Sequence, residues 1–116
     1  DFPLSDVKLC RLIGNLINNA IEYLKETEIE DKYIELAISK KRRSFLIKVA
    51  NPVENTILFE DILENLCKEG WTTKGDGHGL GLAIVNKIVM EAGGMVKPDL
   101  DQKRSALSFR IDLPIL

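Results

Sequence analysis

Glycines at 75, 77, 79 and 81 alternate through Gly75-Asp-Gly-His-Gly-Leu-Gly-Leu82 and run straight into an apolar helical pattern. Alternate glycines leave backbone N–H groups uncovered, and the helix that follows presents N–H groups without intrahelical partners and a partial positive charge. That is the build of a loop that grips phosphate. Lys74 adds a mobile cation and Thr72 and Thr73 add hydroxyl donors. Two common nucleotide loops do not fit. A Walker loop needs Lys-Ser/Thr where Asp76-Gly77 stands, and a dinucleotide fingerprint should follow a buried strand, not the polar run Lys68 to Lys74. A flexible linker is the bland alternative, although linkers do not usually carry Thr-Thr-Lys at one end and a strong helix at the other.

The rest of the chain suits a single domain over residues 1–116, 45% hydrophobic and 29% charged. Its net charge of −2 is spread along the sequence, which argues against a nucleic-acid surface. Lys40-Lys-Arg-Arg43 is the one basic cluster and reads as a solvated hairpin turn. Cys10 and Cys67 lack metal-ligand or redox spacing and are expected to be buried thiols in a reducing cytoplasm. No apolar run is long enough to cross a bilayer, so direct membrane insertion is not expected, and the absence of an initiator Met suggests a piece of a longer chain.

Ser5 or Asp6 is placed to cap a helix on which Leu9, Leu12, Ile13, Leu16, Ile17, Ala20 and Leu24 form a core-facing stripe. Tyr33 to Ser39 alternates, with Ile34, Leu36 and Ile38 on one face, and Ser44 to Ala50 completes a hairpin that Asn51-Pro52 ends. A short helix is expected between Val53 and Glu69. After the glycines, Leu82, Val85, Ile88, Val89 and Ala92 line a helix that Gly93-Gly94 stops. Met95-Val96 starts a strand, Lys97 to Arg104 reads as a polar turn, and Ala106 to Leu113 is a closing strand. The predicted class is α+β: a two-layer sandwich with helices on one face of a mostly antiparallel, mixed sheet.

The first helix carries a second stripe of Lys8, Arg11, Asn15, Asn18, Asn19 and Glu22, read as the face opposite the apolar one. Asparagine is a poor choice for a helix interior, because its amide competes for backbone hydrogen bonds. Asn15 and Asn19, four apart, are neighbours able to offer neutral carbonyl oxygens to a phosphate-bound hard cation. Taken alone, the stripe reads first as a polar surface; together with the glycine loop it favours a site.

Asn15-Leu-Ile-Asn-Asn19-Ala-Ile-Glu-Tyr23 resembles the N box, and Gly75 to Leu82 the G2 box, of the GHKL or Bergerat-fold ATP-binding family. Thr72-Thr73-Lys74-Gly75 and Phe109 to Pro114 resemble the flanking segment and closing strand of its sensor histidine kinase branch. The resemblance implies a catalytic domain that moves the γ-phosphoryl of Mg-ATP to a histidine on a separate dimerisation domain, with a response regulator downstream. It also implies the cytoplasmic part of a membrane-anchored bacterial sensor. Carried over, it makes Asn19 the Mg²⁺ ligand and assigns Asn15 and Lys74 to the catalytic step. ATP contacts fall to Asn15, Asn19, Tyr23, Asn51, Thr72, Thr73, Lys74, Gly75, Gly77, His78, Gly79, Leu80, Gly81 and Leu82, with Thr73, Lys74, Gly77, Gly79 and Gly81 in a mobile lid. His78, the only histidine, is placed to contact phosphate or to pack, so the acceptor histidine lies elsewhere.

Two positions depart from the family. Its G1 box supplies an Asp to the adenine amino group, whereas Asn51 ends the second strand here. That replacement is similar to the accessory-gene-regulator receptor kinases. An uncharged acceptor implies modest affinity, on the order of micromolar to millimolar, and leaves a non-catalytic interaction domain with the same fold as the alternative. Members that hydrolyse ATP carry a Glu where Asn15 stands; an amide takes no proton, which favours transfer to an imidazole over attack by water.

Overall fold

The computed structural model describes residues 2–54 and 79–115. Helix α1, Asp6–Lys25, begins where Ser5 caps it: the serine side chain accepts from the Lys8 backbone N–H at 3.2 Å. Ser5→Ala is expected to lower stability by about 1 kcal/mol, read as a shift in urea midpoint with unchanged slope. Leu12, Leu16, Ala20 and Leu24 are buried, so the predicted stripe is the core face. Cys10 is exposed, not buried as expected; it sits one residue off the stripe, on the solvent side of the helix.

Strand β1, Glu35–Lys40, pairs antiparallel with β2, Ser44–Pro52, across the Lys41–Arg43 turn. Helix α2 runs Gly79–Glu91, followed by β3, Met95–Asp101, and β4, Ala106–Pro114. The described strands form one sheet in the order β1-β2-β4-β3, with every ladder antiparallel. The expected polar turn from Lys97 is a correction, since β3 continues to Asp101. Pro98 is tolerated because β3 is an edge strand, where a missing N–H can face away from the ladder.

Helix α2 ends in a paired carbonyl lock. Gly94 N–H donates to Val89 O at 2.9 Å and Gly93 N–H to Met90 O at 3.0 Å, with Gly93 at φ 79°. This is the Schellman arrangement, in which glycine takes the left-handed position without penalty.

Leu12 and Leu16 of α1, Val85, Ile88 and Val89 of α2, and Ile47, Val49, Ile111 and Leu113 of the central strands form one buried cluster. Both helices therefore lie on the same face of the sheet. They cover it unevenly: α1 seats over β2, and α2 over β3 and β4. Consequently Leu36 and Ile38, which the alternation puts on one face, remain 44% and 49% exposed although they share that face with buried Val49 and Ile47.

Candidate functional site

Asn15, Asn19 and Tyr23 succeed one another at four-residue steps along α1, each partly buried, in a line about 12 Å long. The polar stripe is thus a shoulder of the buried face and not its opposite: Asn15 and Asn19 flank Leu12 and Leu16, whereas Asn18 is exposed. Asn15 Nδ2 donates to the Arg11 carbonyl at 2.7 Å, which fixes the amide and leaves its oxygen as the group offered outward.

The C-terminal half of α1 is tied to the exit of β2. Glu54 N–H donates to the Tyr23 hydroxyl at 3.0 Å, and the Glu54 carboxylate accepts from Glu28 N–H at 3.3 Å. Asn51 shares the inner face of the sheet with Val49 of β2 and with its cross-strand partner Leu107 of β4, is 6% exposed, and its Nδ2 donates to Pro52 O at 2.9 Å. That bond occupies a donor and leaves the side-chain carbonyl as the acceptor. Two predicted positions far apart in sequence, Tyr23 and Asn51, are thereby brought to one end of the molecule. Glu54 had no sequence signal, because its donation to Tyr23 comes from the main chain, just past the end of β2.

Tyr23→Phe removes the acceptor of the Glu54 N–H while keeping the ring. A loss of about 1 kcal/mol in unfolding free energy is expected, measured by urea titration.

Helix α2 starts at Gly79, so Gly79, Leu80, Gly81 and Leu82 form its first turn. Their N–H groups have no partner within the helix and carry the positive end of its dipole. The described part of α2 packs against α1 through the common core. Thr72, Thr73, Lys74, Gly75, Gly77 and His78 lie outside the described residues, as do Cys67 and the helix expected before Glu69.

Among the described residues no group of three or more His, Cys, Asp and Glu side chains is placed to hold a metal. The α1 amides could each offer a neutral oxygen to a divalent ion brought by phosphates, a donor that suits magnesium. Also among the described residues, no helix is long and apolar enough to cross a membrane.

Two helices packed on one face of an antiparallel sheet, with amides along the first and glycines opening the second, define an α+β sandwich of the histidine kinase catalytic type. The chain belongs to the GHKL domain family, which it matches over residues 4–112. It is 34% identical over 89 residues to Sensor protein CitS of Halalkalibacterium halodurans, covering 76% of this chain and 16% of that one. It is 31% identical over 116 residues to Sensor protein TdiS of Thauera aromatica, covering 97% and 20%. With Sensor histidine kinase DpiB of Escherichia coli it shares 26% identity over 114 residues, covering 96% and 20%. The chain thus spans a fifth or less of these curated relatives. A nucleotide-free catalytic domain of histidine kinase ThkA superposes with a TM-score of 0.68 at 25% identity, covering 95% of this chain and 68% of that one. The mycobacterial sensor histidine kinase MprB shares the fold, with a TM-score of 0.73 at 17% identity and coverage of 96% and 74%.

Proposed function

We propose that this domain binds Mg-ATP and, within a longer chain, delivers the γ-phosphoryl group to a histidine on a separate dimerisation domain. A response regulator's aspartate is the onward acceptor. The observation that carries the reading is the amide line Asn15-Asn19-Tyr23, tied through Glu54 to the strand end that holds Asn51. Tyr23 and Asn51 sit at the adenine end, with the Asn51 carbonyl accepting from the exocyclic amine. Asn19 completes the coordination of a phosphate-bound magnesium ion, and Asn15 steadies the phosphates beside it. The first turn of α2, with Lys74 and the threonines ahead of it, meets the negative charge.

In this scheme the acceptor imidazole attacks the γ-phosphorus, an N–P bond forms, the bond to the β-phosphate oxygen breaks, and ADP leaves. The domain's part is positioning and charge stabilisation, since Asn15 supplies no base for water. The proposed setting is the cytoplasmic portion of a membrane-anchored sensor. The finer likeness to accessory-gene-regulator receptors is supported by Asn51 alone; the relatives named above carry other designations, and the proposal does not depend on subtype.

Calorimetric titration with a non-hydrolysable Mg-ATP analogue tests the reading. Saturable one-to-one binding that requires magnesium is expected, whereas no heat at millimolar nucleotide would overturn it.

A further inference from the structure

Tyr23 sits in the last turn of α1 and Asn51 near the end of β2, so their relative placement depends on what joins the two elements there. The stretch Asn51-Pro-Val-Glu54 is held from two sides. On one side Val53 N–H donates to Ser105 O at 2.7 Å, in the turn between β3 and β4. Ser105 has the left-handed φ of 49°, and Arg104 N–H closes the same turn by donating to Asp101 Oδ1 at 3.2 Å. On the other side Glu54 reaches partners 31 and 26 residues away, giving its N–H to the Tyr23 hydroxyl and accepting from Glu28 N–H through its carboxylate.

The Glu28 contact falls where the chain has just turned off the helix. Thr27, 9% exposed, makes that turn, its Oγ1 donating to the Leu24 carbonyl at 3.0 Å. Glu28 follows directly, so the Glu54 carboxylate grips main chain whose position is already set by the end of α1. One residue thus carries both halves of the clasp. Its side chain anchors it, and its main chain holds the phenol. A main-chain N–H can only donate, so in this bond the Tyr23 oxygen is the acceptor.

We propose, on the Mg-ATP reading above, that Glu54 is a positioning residue for the base end of the nucleotide and acts through Tyr23. Its carboxylate, fixed on Glu28, keeps the Glu54 N–H aimed at the Tyr23 hydroxyl and so sets the ring against the strand end that carries Asn51. Glu54 itself touches no nucleotide. Its side chain is exposed, so shortening it removes no core contact. The carboxylate lies close to the C-terminal end of α1, where the helix dipole opposes negative charge. An amide at this position accepts the same hydrogen bond without that opposition, which separates the bond from the charge.

Calorimetric titration of the unaltered chain, Glu54→Ala and Glu54→Gln tests the assignment, using two ligands: the non-hydrolysable Mg-ATP analogue, and magnesium tripolyphosphate, which has the phosphates and no base. Glu54→Ala is expected to weaken nucleotide binding about three- to tenfold and to leave tripolyphosphate binding as it was. Glu54→Gln recovers most of the loss, since its side-chain oxygen accepts from Glu28 N–H. In a Tyr23→Phe background Glu54→Ala weakens nucleotide binding by less than about twofold more, because the group through which it acts is gone. A general loosening of the fold would instead weaken both ligands alike and would add to the effect of Tyr23→Phe. Unchanged nucleotide affinity in Glu54→Ala, an equal loss towards tripolyphosphate, no recovery in Glu54→Gln, or a full further loss on top of Tyr23→Phe would each overturn the proposal while leaving the Mg-ATP reading in place. Failure of the unaltered chain to bind nucleotide is the separate result that removes that reading, and this assignment with it.

Discussion

Asn19→Ala is expected to weaken Mg-ATP binding by roughly ten- to a hundredfold, the loss of one interaction with a charged group worth about 1.5–3 kcal/mol. The helix itself should not suffer, since alanine is the better residue in a helix interior. Asn18→Ala is the matched control. It changes the same residue type one position along, where the side chain is exposed and turned off the line of Asn15 and Tyr23. Calorimetry on the two variants should show weakened binding in the first and wild-type binding in the second, with both melting at or above the wild-type temperature. Equal affinities would remove Asn19 from the site, and with it the placement of magnesium on α1.

The largest expected effect on folding comes from Gly94→Ala. A Cβ at this position would overlap the Asp112 carbonyl oxygen in β4 and press against Val89 Cγ1 at 3.1 Å. Neither can yield cheaply, one being backbone inside a sheet and the other a fully buried core side chain. A loss of about 3 kcal/mol or more is expected, lowering Tm by roughly 10 °C or more. Gly93→Asn separates this crowding from backbone conformation. Gly93 has the left-handed φ of 79°, but its Cβ would meet only Pro114 Cγ, at an ordinary 3.7 Å. Asparagine tolerates that φ, so the second variant should lose less than about 1 kcal/mol. If the two melt alike, close approach of α2 to β4 is not what requires a glycine at 94.

Periodicity in the sequence located α1, the first hairpin, α2 and the closing strand because each is long and buries one regular face. It said less about how far the cover extends. Leu36 and Ile38 alternate as core residues do, yet their burial depends on how many helices lie above the sheet, which no strand pattern encodes. β3 was cut short at Lys97 because its charged alternation and Pro98 read as a turn, and only its place at the edge makes it a strand. Cys10 was misplaced for a related reason: its thiol is on the helix but outside the stripe that packs. Within the candidate site, the four-residue spacing of Asn15 and Asn19 was legible on a helix, whereas Tyr23 entered only through the family resemblance. The Tyr23–Glu54 clasp was not, since it joins segments 31 residues apart through a main-chain donor.

Asn15, Asn19 and Asn51 contribute three carboxamides, neutral groups that carry no titrating proton. Acid would leave this portion of the proposed site unaltered. On the proposed reading, any acidity dependence of nucleotide capture would originate in the triphosphate or in groups other than these three amides.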